Sequence, residues 1–166
     1  MKFHLNKIIL LCVLVAILSA CGSRRNTATV RTPAAKAAEA MAALKNKDLY
    51  RFITDWAGVK YKLGGLDKSG IDCSGFALLL ERDIYSIELP RRSKDQAEVI
   101  KTKDPDQLKE GDLIFFSFGG KEVDHVGVYL KDDFFVHAST TRGVVVDNIK
   151  LPVYQKVYIK AGPVKN

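Results

Sequence analysis

The sequence predicts an α+β domain, with N-terminal helices packed on a central antiparallel β-sheet. Two observations carry this reading. The helical apolar patterns lie ahead of residue 113, and from Leu113 onward the chain becomes a series of short β-rich segments separated by turn residues. A length of 166 residues with no internal repeat fits a single domain.

In chain order, Lys2 and Lys7 flank the start of an unbroken apolar run from Ile8 to Leu18. Its 11 residues are too few to span a bilayer and suit the core of a secretory leader. The run ends in Leu18-Ser19-Ala20-Cys21, which looks like a bacterial lipobox, where the cysteine is acylated and the chain is cut before it. Residues 1–20 are therefore expected to be a lipoprotein signal peptide, with Cys21 as the lipidated residue. Residues 21–47 are polar and then alanine-rich, with apolar side chains too small to build a core. They are expected to be a tether, partly helical after Pro33.

The folded domain is expected over 48–162. Asp48 is placed to cap a helix whose Leu49, Phe52, Ile53 and Trp56 fall on one face, and Gly58 ends it. A Gly64-Gly65 turn leads to Asp72-Cys73-Ser74-Gly75. Phe76 to Leu80 then form a nearly continuous apolar helix, expected to be buried. Strands are expected at Leu113–Phe116, Val126–Leu130, Phe134–Val136, Val144–Val146 and Val157–Ile159. Lys131-Asp132-Asp133 and Arg142-Gly143 supply turns between them.

Processing simplifies the reactive inventory. Cys12 and His4 leave with the leader and Cys21 carries lipid, so Cys73 is the one free thiol, beside two histidines, His125 and His137. No intramolecular disulfide is then possible, and a lone thiol in an oxidising envelope compartment needs burial or chemistry to justify it. Net charge falls from +7 to +5 on loss of Lys2 and Lys7. That excess suits a polyanionic wall or membrane surface, while the scattered basic residues and the envelope address argue against nucleic acid.

A thiol acts as a nucleophile through its thiolate, and a helix N-terminus and a neighbouring imidazole both favour that form. Asp72 is expected to cap the helix that begins at Cys73, and His125 to face the thiol from a strand. His137, 12 residues on in the next strand, can reach the same face and hold the His125 ring. Taken alone, a cysteine before a buried helix is commonly packing, and a strand histidine is commonly structural. A zinc site of His125, His137 and Asp124 is a weaker reading, because closer cysteines or a helical histidine pair would be expected. The separate placement of the one thiol and both histidines at points suited to one site favours chemistry.

Six segments, in order, resemble the NlpC family of bacterial cell-wall cysteine peptidases. They are Tyr61-Lys62-Leu63-Gly64-Gly65, Asp72-Cys73-Ser74-Gly75-Phe76, and Leu89-Pro90-Arg91-Arg92-Ser93 with Gln96. After them come Gly111-Asp112-Leu113-Ile114-Phe115-Phe116, Asp124-His125-Val126-Gly127-Val128-Tyr129 and Val136-His137-Ala138-Ser139. The resemblance implies a papain-like domain with Cys73 as nucleophile, His125 as general base and acid, and His137 as its orienting partner. It also implies that Tyr61 assists the oxyanion site, with Asp72, Ser74, Arg91 and Ser139 near the substrate cleft. The substrate class implied is peptidoglycan stem peptides, cut at the bond between γ-D-glutamate and a diamino acid, with Arg91 suited to their carboxylates. Neither a metal nor a cofactor is expected. Lys60, Leu63 and Glu110 depart from the family pattern, and the first two border the cleft.

The expected setting is the cell envelope, as a monomer anchored to a membrane through its N-terminal lipid. In a Gram-negative cell this is the outer membrane, facing the periplasm. A non-catalytic peptidoglycan-binding lipoprotein and a cysteine acyltransferase or amidase of related fold are the alternatives.

Overall fold

The computed structural model describes residues 31–165. The expected signal peptide and Cys21 lie outside the described residues. Among the latter, no helix is long and apolar enough to cross a membrane.

Helix α1 (Pro33–Ala42) starts where Thr32 accepts from the Ala35 N–H and Pro33 supplies a helical φ without an unsatisfied donor. Its Ala40 is buried, and Leu44 just beyond it joins the main core. Helix α2 (Lys47–Trp56) buries Leu49, Ile53 and Trp56, the face expected from their spacing. Its cap is Asn46, not Asp48. Asn46 has extended backbone angles, and its Oδ1 accepts from the Asp48 and Leu49 N–H groups at 2.9 and 3.1 Å. Asp48 instead sits in the first turn, where its charge complements the helix dipole. Glu110 reaches across to accept from the Lys45 and Asn46 N–H groups, both at 3.0 Å, tying this junction to the sheet.

A two-residue hairpin, β1 (Leu66–Asp67) and β2 (Gly70–Ile71), leads into α3 (Cys73–Leu80). Gly75 lies so close to the Gly65 carbonyl that a Cβ there would sit 2.7 Å from its oxygen, which seats the first turn of α3 against the Gly64-Gly65 loop. A π-helical turn (Glu81–Tyr85) prolongs α3, and α4 (Ser93–Glu98) packs beside it.

The remaining chain forms one antiparallel sheet in the order β6-β5-β4-β3-β7: β3 (Leu113–Phe116), β4 (His125–Lys131), β5 (Phe134–Ser139), β6 (Gly143–Asn148) and β7 (Tyr158–Gly162). Short α5 (Pro152–Gln155) precedes the last strand. Strands β4 and β5 join through Asp132 and Asp133, both at positive φ, the backbone that matches a two-residue hairpin to strand twist. Side chains alternate between two cores. Leu113, Phe115, Val126, Val128, Val136 and Val144 pack with the helices, while Ile114, Phe116 and Phe135 pack with Tyr154 on the opposite face. His125 pairs with Phe116 across the strands, and His137 lies two residues from Phe135, so both histidines belong to the second face.

Candidate active site

Cys73 is the first residue of α3 and the free cysteine of the described chain. The Asp72 carboxylate caps that helix, accepting from Gly75 N–H at 2.7 Å and from Gly64 N–H at 2.7 Å. The thiol, 5% exposed, points at the backbone on either side of His125. Its Sγ lies 4.0 Å from the Asp124 carbonyl oxygen and receives the Val126 N–H. His125 opens β4, so the start of one helix and the start of one strand meet at this point.

His125 Nε2 lies 2.8 Å from His137 Nδ1, with the rings edge to face at 88°. His137 is stacked on Phe135 at 4.9 Å, and its Nε2 lies 3.0 Å from Asp147 Oδ2 and 3.2 Å from the Tyr154 hydroxyl. Arg142 and Tyr154 both donate to the Asp147 carboxylate. Burial alone would raise the Asp147 pKa, but these hydrogen bonds, from His137, Arg142 and Tyr154, hold it well below the usual carboxylate range. Asp147, Arg142 and Tyr154 were not singled out from sequence. The available signal was the single acid on β6, at the end of an otherwise apolar run and two residues beyond the cross-strand partner of His137.

The expectation that the thiol is poised as thiolate meets a different balance here. Burial pushes the Cys73 pKa up to about 11, against the pull of the Val126, Ser74 and Cys73 N–H groups, and nearby Asp72 adds to the rise. Burial and then His137 push His125 down to about 3. Desolvation disfavours both ions, so the resting pair is a neutral thiol and a neutral imidazole.

Two cleft segments meet at these residues. One, of about 370 Å³, is lined by Cys73, Asp72, Ser74 and Arg91; the other, of about 570 Å³, by His125, His137, Ser139 and Phe118. Tyr61 and Asp124 border both. The Tyr61 phenol is pushed up to about 12, by burial first and then by Cys73 and Asp72, so at neutral pH it keeps a proton to donate. Ser139 Oγ is 3.4 Å from Thr141 Oγ1. Arg91 is less free than the sequence reading supposed. Its guanidinium grips Asp72 bidentately at 2.8 and 2.7 Å and also reaches Ser74 Oγ and the Gly65 carbonyl. Those bonds occupy four of its five donors. Gln96, fully buried, donates to the Ser74 and Pro90 carbonyls and fixes the Arg91 loop to α3.

The second segment has an apolar rim. Phe118, 49% exposed, stands edge-on to His125 at 5.6 Å. Its loop is anchored by the Asp124 carboxylate, which accepts from the Phe118 and Gly119 N–H groups at 2.9 and 2.6 Å. No group of three or more potential metal ligands occurs among the described residues.

With this geometry in hand, comparison with known proteins is specific. The family model described as "NlpC/P60 family" matches residues 58–162. Over 107 residues the chain is 43% identical to the Escherichia coli K12 protein named murein DD-endopeptidase MepS/murein LD-carboxypeptidase, covering 64% of this chain and 56% of that one. The chain thus spans little more than half of that relative. It is 34% identical over 103 residues to the γ-D-glutamyl-L-lysine dipeptidyl-peptidase of Bacillus subtilis, covering 60% of this chain and 34% of that one. Among solved structures, an NlpC/P60 family protein from Bacillus cereus superposes with a TM-score of 0.66 at 30% identity, over 72% of this chain and 40% of the other.

Proposed function

The chain belongs to the NlpC/P60 family, and on that premise we propose that it is a cysteine endopeptidase acting on peptidoglycan stem peptides. The observation that carries this reading is the Cys73 thiol held against the backbone flanking His125, at the junction of two cleft segments. In the proposed reaction a stem-peptide carbonyl enters beside Cys73. His125 Nε2 is engaged with His137, so Nδ1 is the nitrogen that receives the thiol proton. Sulfur attacks the carbonyl carbon, and the oxyanion is met by the Cys73 N–H and the Tyr61 hydroxyl. His125 then passes its proton to the leaving amine and activates a water that releases the acyl group. No step calls for a metal or a cofactor.

Desolvation makes the thiolate–imidazolium pair unfavourable in the free enzyme. Proton transfer is therefore expected to accompany attack, when the charge passes on to the oxyanion. Asp72, Ser74, Arg91 and Ser139 are proposed to line the substrate path. Arg91 acts chiefly as the strut that fixes Asp72, with one donor left for a substrate carboxylate. The bond proposed is that between γ-D-glutamate and the diamino acid, in keeping with the name of the Bacillus subtilis relative. The higher identity to a protein named as a DD-endopeptidase favours a second reading, in which the D,D cross-link is cut.

The test is a mass spectrum of purified cross-linked and monomeric muropeptides incubated with the processed chain and with Cys73→Ala. Wild type is expected to cut, and the fragment masses report which bond. Cys73→Ala is expected to lose several orders of magnitude in rate. Its melting curve should move little, because exchanging a thiol for a methyl in a buried site costs about 1 kcal/mol at most. An alanine variant that cuts at the wild-type rate overturns the mechanism. Retention of muropeptides by wild type without cleavage identifies a binder instead.

A further inference from the structure

We propose that Asp147, clamped by Arg142 and Tyr154, is a positioning residue that sets the tautomers of both histidines and so leaves His125 Nδ1 bare to accept a proton. The inference rests on the assignment of Cys73 and His125 as nucleophile and base. It follows from counting donors and acceptors along the chain of contacts.

His137 Nε2 has two polar neighbours, Asp147 Oδ2 at 3.0 Å and the Tyr154 hydroxyl at 3.2 Å. The ionised carboxylate can only accept. The Tyr154 proton is directed to that same carboxylate, so toward His137 the phenol oxygen can also only accept. Nε2 must therefore carry the hydrogen of neutral His137, which leaves Nδ1 with a lone pair. That lone pair lies 2.8 Å from His125 Nε2, so His125 Nε2 is the protonated nitrogen and His125 Nδ1 the bare one. The reversed relay would set the bare His137 Nε2 against the carboxylate and the phenol oxygen, and moving the His125 hydrogen alone would set two lone pairs against each other between the rings.

The clamp is built for permanence. His137 is 3% exposed, and Tyr154 packs on Phe135 and Phe116 at 4.9 and 5.5 Å. Arg142 is carried by the three-residue turn between β5 and β6. That turn closes on Gly143 at positive φ, where a Cβ would lie 2.3 Å from the Val59 carbonyl. Arg142 offsets the charge of Asp147. The clamp therefore acts mainly by direction of hydrogen bonding, with little net charge delivered to His125. In a merely structural role, any group able to fill the space and accept one hydrogen bond would serve.

The decisive measurement is the nitrogen-15 spectrum of the histidine rings at neutral pH, in the processed wild type and in Asp147→Asn. In wild type, both His125 and His137 are expected as the Nε2–H tautomer. An amide at 147 can turn its NH₂ toward His137 and reverse the relay. The variant is therefore expected to show mixed or inverted tautomers, with kcat on muropeptide down by roughly 100-fold and KM within about twofold. A bare His137 Nε2 in wild type overturns the proposal even if the variant does not fold. Wild-type tautomers and turnover in Asp147→Asn overturn it equally. A wild type that shows the expected tautomers yet cuts no muropeptide refutes the peptidase reading and leaves the relay standing.

Discussion

Cys73 and His125 are both held neutral by burial, and this has a signature in pH. The proposed base is lost only when His125 takes a proton in the free enzyme, and burial moves that event down, to about 3. The thiol ionises separately only near 11. Between these limits the site holds one transferable proton in the right place, so kcat/KM is expected to be flat from about pH 5 to about pH 9. A profile with an inflection near the ordinary imidazole value of about 6.5 would show that His125 is solvated and that this account of the pair is wrong. Both residues stand out in the sequence because the described residues hold one cysteine and two histidines. Asp147, one of 19 acids, does not, because its place two residues beyond the cross-strand partner of His137 is fixed only by the register of β5 against β6.

Helix α3 and the β4–β5 hairpin bring the site together, and each relies on a glycine. Gly127 stands out on β4, where a Cβ would fall 2.5 Å from the Phe135 ring and 3.0 Å from the Val136 carbonyl oxygen. Phe135 in turn is the plate on which His137 stacks. Gly127→Ala is expected to cost about 1–3 kcal/mol by overpacking. It should also lower turnover, because displacing Phe135 tilts His137 and with it His125. Thermal melting and muropeptide kinetics on the same preparation check both effects; lowered stability with unchanged kcat would show that the ring position is not transmitted. The strands themselves were legible from their short apolar runs: Leu113–Phe116 matches its run, and the other four extend a residue or more beyond theirs. His125, His137, Ser139 and Asp147 sit at the ends that ladder pairing adds.

At the scale of the whole chain, the proposed lipid at Cys21 would give the domain its address. The expected anchor is covalent, so Cys21→Ser should move the protein from the membrane to the soluble fraction while leaving muropeptide cleavage by the purified domain unchanged. Cell fractionation decides it, and unchanged membrane association would remove the lipobox reading. A proposed net charge of +5 on the processed chain would add an attraction to anionic wall or membrane surfaces, one that weakens as salt is raised.

The sequence by itself determined the α+β class, the helix that starts at Cys73, the cap at Asp72 and the short list of reactive residues, Cys73, His125 and His137. Those features follow from local periodicity, capping chemistry and the scarcity of reactive residue types, all of which are written along the chain. Only the tertiary structure decided the rest. The Arg91–Asp72 pairing joins residues 19 apart in the chain, and the Glu110 cap spans 64 to 65. The neutral state of the thiol depends on how much water the packed cleft excludes. The Asp147 clamp depends on the register of β5 against β6 and on where α5 sets down Tyr154. Distance through space, desolvation and hydrogen-bond direction come into being only when the elements pack.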